Sequence, residues 1–271
     1  MSIISGKKIQ KNIITSLQEK LSHMSQRPKL FLIYVGVDPV IERFMRFKKK
    51  VGEQLGIEVY ITKLSDRAQQ AEVEAAVSKV CAQANDVDGV VIQLPLPVHL
   101  DKEVILGLVP VHMDVDILSH NAYVRYVGGV STMVPPVVGA MIAVLEEYKV
   151  LQEDKKIVVV GQGELVGRPL VVWLQQQGLP YQVITKSIEG REDILRSADI
   201  LFTGTGVPGL ITPEHIKEGV VLIDAGTSEQ SGVLVGDIDP SCADKAYLMT
   251  PTPGGIGPIT IAVLFRNLIC K

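Results

Sequence analysis

The stretch Lys156-Ile157-Val158-Val159-Val160, followed by Gly161-Gln162-Gly163-Glu164-Leu165-Val166-Gly167 and a helix-period segment over 168–177, constrains the fold most. An unbroken β-branched run reads as a strand buried on both faces, the habit of parallel sheets covered by helices. Gly161, Gly163 and Gly167 then fall between strand and helix, where backbone can approach a pyrophosphate and helix N–H groups can face it. Gln162, Leu165 and Val166 complete this candidate cofactor turn. The spacing is one residue longer than Gly-x-Gly-x-x-Gly, so a turn that only tightens strand–helix packing is the competing reading.

Roughly 20 residues beyond such a turn, the group that meets the adenosine ribose is acidic for NAD and cationic for NADP. Here Lys186 and Ser187 follow Thr185. A lysine and a hydroxyl suit a 2′-phosphate and favour NADP, with NAD the alternative. Further small residues end later strands: Thr205, Gly206 and Pro208 after one, Gly226 and Thr227 after the next, at the carboxyl ends where open α/β sheets bind ligands.

Two sets of alternating strands and helices are separable. The first predicts a helix over 9–21, a strand over 30–35, a helix over 41–55 ending at Gly56, a strand over 57–64, a helix over 71–84 and a strand over 89–93. After the punctuated stretch 128–136 the second predicts a helix over 137–148, the strand–turn–helix above, and strands over 182–185, 199–203 and 220–224. A final helix over 259–269 returns across the molecule. The fold class is therefore α/β.

With 46% hydrophobic and 21% charged residues in 271, the chain is expected to fold throughout, and a net charge of −3 gives no field for polyanions. Nucleic acid is not an expected partner. No segment approaches the roughly 18 uninterrupted apolar residues of a membrane span, so a soluble, cytoplasmic protein with no membrane partner is expected. Cys81, Cys242 and Cys270 are scattered, which argues against a disulfide framework or a zinc site. His112, Asp114, Asp116 and His120 match no closed metal site, and none is expected. Trp173 is expected to pack in the core.

Several segments together resemble the bifunctional methylenetetrahydrofolate dehydrogenase/cyclohydrolase family. They are Val35-Gly36-Val37-Asp38-Pro39 with Lys48, Gln93-Leu94-Pro95-Leu96-Pro97, Asp114-Val115-Asp116, the Gly161 turn running into Arg168-Pro169, and Thr250-Pro251-Thr252-Pro253-Gly254-Gly255-Ile256-Gly257-Pro258-Ile259-Thr260. The resemblance implies an N-terminal α/β catalytic domain over 1–120, completed by a helix over 256–271, and a Rossmann-like NAD(P)-binding domain over 121–255. It also implies an active site in the interdomain cleft, tetrahydrofolate one-carbon derivatives as substrates, and a homodimer.

By the same resemblance Lys48 is the catalytic lysine and Gln93 its hydrogen-bonding partner near the substrate. Asp116 would grip the pterin N–H groups, Leu94 and Pro95 would line the substrate site, and Pro253, Gly254 and Gly255 would bring backbone close to pterin and nicotinamide. From the residues alone, a solvated basic face shared with Lys49 and Lys50 is the preferred reading of Lys48, and either aspartate could equally cap a turn.

The sequence departs from the family pattern at Phe44, where a tyrosine is usual, and at Ile117, where a glycine is usual. Phenylalanine keeps a ring that can stack on a pterin and loses the hydroxyl, so dehydrogenase activity is expected to survive while hydrolysis is slow. The alternatives are a non-catalytic folate or nucleotide sensor and a dehydrogenase of the same fold acting on another substrate.

Overall fold

Parallel pairing organises both parts of the chain. The computed structural model describes residues 2–151, 154–185, 190–230 and 232–271. In chain order, β1 (Ser2–Ile3) and α1 (Gly6–Ser22) lead to β2 (Leu30–Val35), α2 (Pro39–Leu55), β3 (Val59–Leu64), α3 (Gln70–Gln83) and β4 (Gly89–Ile92). Helices α4 (Lys102–Gly107) and α5 (His120–Val127) precede α6 (Pro136–Tyr148). Then come β5 (Ile157–Val160), α7 (Gly167–Gln176), β6 (Tyr181–Ile184), α8 (Glu192–Ser197), β7 (Ile200–Thr203) and β8 (Val221–Asp224). The chain closes with β9 (Ser228–Gln230), β10 (Val233–Val235), β11 (Leu248–Met249) and α9 (Ile256–Cys270). By contacts it divides into a unit of Asn12–Pro136 with Ile261–Lys271 and a unit of Met1–Lys11 with Val137–Thr260.

In the first of these, the three-stranded unit, the strand order is β3-β2-β4, with Leu30 facing Val59 on one side and Gly89 on the other. Alternate residues of the central strand, Ile33 and Val35, pack with Val73, Val77 and Val80 of α3 and with Ile105 and Leu106 of α4. The start of α2 is fixed locally: the Asp38 side chain accepts from the N–H groups of Val40 and Ile41, and Pro39 occupies the first turn, where its missing N–H costs nothing. Its end is fixed by Gly56, left-handed at φ 66°, whose N–H turns back to the carbonyls of Gly52 and Glu53. The second half of α9 belongs to this unit, where Asn267 Nδ2 donates to the carbonyls of Val115 (2.9 Å) and Val134 (2.8 Å).

The six-stranded unit has the order β1-β11-β8-β7-β5-β6, every pairing parallel. All four residues of β5, of β7 and of β8 are buried, which is why these strands are near-continuous Val, Ile, Leu and Phe. Strands β9 and β10 form a separate antiparallel hairpin. Trp173 is only half-buried; Leu170 and Leu174 fill the core on the same helix.

Candidate functional site

The buried face of α2 carries Met45, Lys48, Val51, Gly52 and Leu55, so helical periodicity points Lys48 inward. Lys48 is 5% exposed, whereas Lys49 and Lys50 lie on the solvent side. Its ammonium donates to Gln93 Oε1 at 2.9 Å. Gln93 follows β4, where its N–H extends the ladder to Ile33 O (2.8 Å) and its side-chain Nε2 donates to Leu94 O (2.8 Å). With the amide committed at its nitrogen, only the oxygen can face the lysine, which fixes which end of Gln93 meets Nζ. The Leu94–Pro95 peptide is cis, and Pro95 is exposed beyond it.

Burial pushes the Lys48 ammonium below its ordinary range, and the Asp116 carboxylate opposes that shift. Burial likewise raises the Asp116 carboxyl, opposed by Lys48 and reinforced by Asp114. The two aspartates divide their work. Asp114 is the turn-former, accepting from the N–H groups of Leu118 (3.2 Å) and Ser119 (2.8 Å), while Asp116 is half-buried and electrostatically coupled to Lys48. Ile117 then adopts φ 56°, a left-handed conformation unfavourable for a β-branched side chain. Phe44 lies one helical turn before Lys48 on α2 and is half-buried.

In the six-stranded unit the turn after β5 is made of backbone. Gly161 has φ 92°, and a Cβ there would stand 2.8 Å from the methyl of Thr205; at Gly167 a Cβ would meet Gly161 O at 2.1 Å. The strand–turn–helix therefore closes only without side chains at these two positions. Gly163 differs, since the nearest atom to a Cβ there is Gly204 O at 3.9 Å and the residue is exposed. No side chain caps the start of α7; Arg168 N–H donates instead to Gly163 O (3.1 Å), Leu170 N–H to Val166 O (3.1 Å), and Pro169 has no N–H. Gln162 and Leu165 are exposed and Val166 half-buried around it. Thr205, Gly206 and Pro208 follow β7, and Gly226 and Thr227 follow β8, the neighbouring strand. The exposed Gly163, with nothing nearer than 3.9 Å to a Cβ, leaves room for a dinucleotide pyrophosphate at the turn between β5 and α7. Lys186 and Ser187 lie outside the described residues.

Pro253, Gly254 and Gly255 also belong to this unit. Gly255 is needed by its own loop, because a Cβ there would stand 2.6 Å from Pro251 O, whereas a Cβ on Gly254 would meet open space. Among the described residues, no group of three or more His, Cys, Asp or Glu side chains is arranged to hold a metal, and no helix is long and apolar enough to cross a membrane. Cys81, Cys242 and Cys270 are free thiols.

The sequence reading passed over two carboxylates beside the cofactor loops, Asp224 and Asp237, which are 2% and 1% exposed. Asp224 accepts from the N–H groups of Gly226 (2.8 Å) and Ile238 (2.9 Å). Burial, with the neighbouring Asp237 charge, pushes its carboxyl up to about 7. Each ends an apolar run, Val221-Leu222-Ile223-Asp224 and Val233-Leu234-Val235-Gly236-Asp237. A carboxylate in that position must find partners if buried, which was the available signal.

A fully parallel sheet with an open glycine turn at its carboxyl edge, joined in one chain to an α/β unit holding a buried lysine on a half-buried glutamine, defines a dinucleotide-binding enzyme of two α/β units. The chain belongs to the tetrahydrofolate dehydrogenase/cyclohydrolase family: residues 4–116 match its catalytic domain and residues 135–271 its NAD(P)-binding domain. It is 34% identical to the bifunctional protein FolD of Mycoplasmopsis synoviae, over 99% of both chains. Its fold is similar to that of the crystal structure of FolD from Campylobacter jejuni (TM-score 0.91, 29% identity, 99% of this chain and 97% of that one). It is also similar to the Trypanosoma brucei enzyme complexed with NADP cofactor and an inhibitor (TM-score 0.90, 28% identity, 98% and 95%).

Proposed function

We propose that the chain oxidises 5,10-methylenetetrahydrofolate to 5,10-methenyltetrahydrofolate with NADP and hydrolyses the product to 10-formyltetrahydrofolate, the second step slowed by Phe44. The observation that carries this reading is the Lys48 ammonium, buried and held on Gln93 Oε1 at 2.9 Å. Bound NADP supplies the hydride acceptor. Gly161, Gln162, Gly163, Leu165, Val166 and Gly167, with Thr205, Gly206, Pro208, Gly226 and Thr227, would hold it, and Lys186 with Ser187 would meet the 2′-phosphate.

Hydride loss leaves a methenyl cation shared by two nitrogens, so no protein base is required and positioning is the whole demand. Asp116 would orient the pterin through its N–H groups, with Phe44, Leu94, Pro95 and the Pro253-Gly254-Gly255 loop lining the substrate. Hydrolysis is different: water adds to the cationic carbon and loses a proton, one C–N bond breaks, and the departing nitrogen takes a proton. Burial favours the neutral amine of Lys48, which can accept the water's proton while Gln93 holds Nζ in place. Phe44 provides no hydroxyl to support that step. The expected assembly is a homodimer in the cytoplasm, on the strength of the family resemblance.

The test is one time course with methylenetetrahydrofolate and NADP or NAD, recording reduced cofactor and methenyl product together. Reduction with methenyl product accumulating is expected; reduction without accumulation beyond the uncatalysed rate would show unimpaired hydrolysis, and no reduction with either cofactor would defeat the reading.

A further inference from the structure

Asp237 joins three segments that end at the cofactor side of the six-stranded sheet. Its Oδ2 accepts from Thr203 Oγ1 (2.7 Å), Thr205 N (2.6 Å) and Thr205 Oγ1 (2.9 Å), whereas Oδ1, buried, has no hydrogen-bond partner among the described residues. The segment bearing it is anchored on both sides. Gly209 N–H donates to Gly236 O, Ile211 N–H to Asp237 O and Asp239 N–H to Ile211 O, and the Ile238 N–H is held by Asp224. Asp237 is thus a fixed acceptor, and the loop after β7 is arranged on it.

Thr205 spends its single hydroxyl proton on Asp237 and accepts from Val207 N–H (3.2 Å), so both the rotation of its side chain and the turn that follows are determined. That rotation directs the Thr205 methyl at Gly161, with Cγ2 2.8 Å from the place a Cβ would take. The first glycine of the turn therefore rests on a side chain whose direction Asp237 sets.

Building on the NADP-dependent function proposed above, we propose that Asp237 is a positioning residue for the cofactor, acting through Thr205 on the Gly161 turn. Because all three donors converge on one oxygen, an acceptor is needed there and a negative charge is not. Asparagine retains such an oxygen, and leucine of similar size does not.

The experiment measures NADP affinity by calorimetric titration of the full chain, alongside the KM for methylenetetrahydrofolate and the thermal midpoint without cofactor. Asp237→Asn is expected to bind NADP within about threefold of wild type, and Asp237→Leu and Thr205→Val about tenfold more weakly, with the folate KM changed less than about twofold. The Asp237→Leu/Thr205→Val pair should bind no more weakly than the weaker single variant, because both remove one linkage. Wild-type NADP affinity in Asp237→Leu or Thr205→Val, equal losses for NADP and folate, or losses that multiply in the pair would each overturn the proposal. If Asp237→Leu does not fold, Thr205→Val alone and paired with Asp237→Asn decides by the same measures. Wild-type protein that binds no NADP would remove the functional reading as well, whereas wild-type binding with unaffected variants removes only this inference.

Discussion

The two units place their chemistry in opposite kinds of matter. In the three-stranded unit it lies in side chains taken out of water: Lys48 on Gln93, with Asp116 opposing the lysine's loss of charge. In the six-stranded unit it lies where side chains are missing, at Gly161, Gly163 and Gly167. Loss of the first kind of group changes what the site can do to a proton and leaves packing tolerant, while filling Gly161 or Gly167 displaces the atoms packed against them and filling Gly163 changes only what can fit.

The sharpest break of this contrast is Lys48→Met. Hydrolysis should fall about 10²–10⁴-fold, the usual worth of a positioned acid or base, while resistance to urea at neutral pH does not drop. Burial is the dominant cause of the lysine's lowered pKa, a cost that Met removes and that is expected to offset the lost contacts with Gln93 and Asp116, whose carboxyl can then take a proton. A variant that lost stability along with rate would show that Lys48 is a structural ion pair first. Next is Gly167→Ala, whose Cβ would meet backbone at 2.1 Å. The turn must shift, with a stability loss of about 1–3 kcal/mol by denaturant titration and NADP binding weakened by about a hundredfold. Gly163→Ala sharpens the comparison, because nothing lies within 3.9 Å of its Cβ. Its stability should stay within about 0.5 kcal/mol, and weakened NADP binding there would report contact with the ligand itself. A fold as disturbed as in Gly167→Ala would refute the distinction.

A smaller effect is expected from Phe44→Tyr, which tests whether a missing hydroxyl limits the three-stranded unit. Hydrolysis should rise by roughly tenfold, about one good hydrogen bond in a transition state, with hydride transfer changed less than about twofold. Unchanged hydrolysis would mean that Phe44 does not limit it.

This division also sets what could be read from the sequence. Buried parallel strands announce themselves, as Ile157–Val160 does, because burial on both faces forbids polar residues. The two-residue strands β1 and β11, the three-residue hairpin strands β9 and β10, and the six-residue helices α4 and α8 were not legible: too few residues exist to display a period. The start of α2 was read at residue 41 and falls at Pro39, because the cap at Asp38 lies ahead of the apolar pattern. Within the site, periodicity alone could not separate Lys48 from Lys49 and Lys50. The resemblance singled out Lys48, and the structure supplies the reason in the Met45, Lys48, Val51 face. Asp237 escaped because its partners, Thr203 and Thr205, lie more than thirty positions away and only folding brings them together.

The smallest expected effect compares the buried acid of one unit with the buried base of the other. Asp224 is raised to about 7 from an ordinary value of 3.8, so between those values the folded chain keeps a proton that the unfolded chain has released. Its contribution to stability is fully present below about pH 4, declines as pH rises towards 7 and is flat above. Lys48, lowered from 10.5, acts on the alkaline side: there the unfolded chain holds the proton that the folded chain gives up, and stability rises with pH until 10.5. Urea titrations from pH 4 to 8 should therefore show a decline that Asp224→Asn flattens, whatever that variant does to the absolute level through its lost acceptor. Lys48→Met should not flatten this acid-side decline and should steepen it, because it removes the charge that holds the Asp116 carboxyl down. If Asp224→Asn kept the wild-type slope, the proton would belong to another group, with Asp116, whose carboxyl burial also raises, the first to substitute.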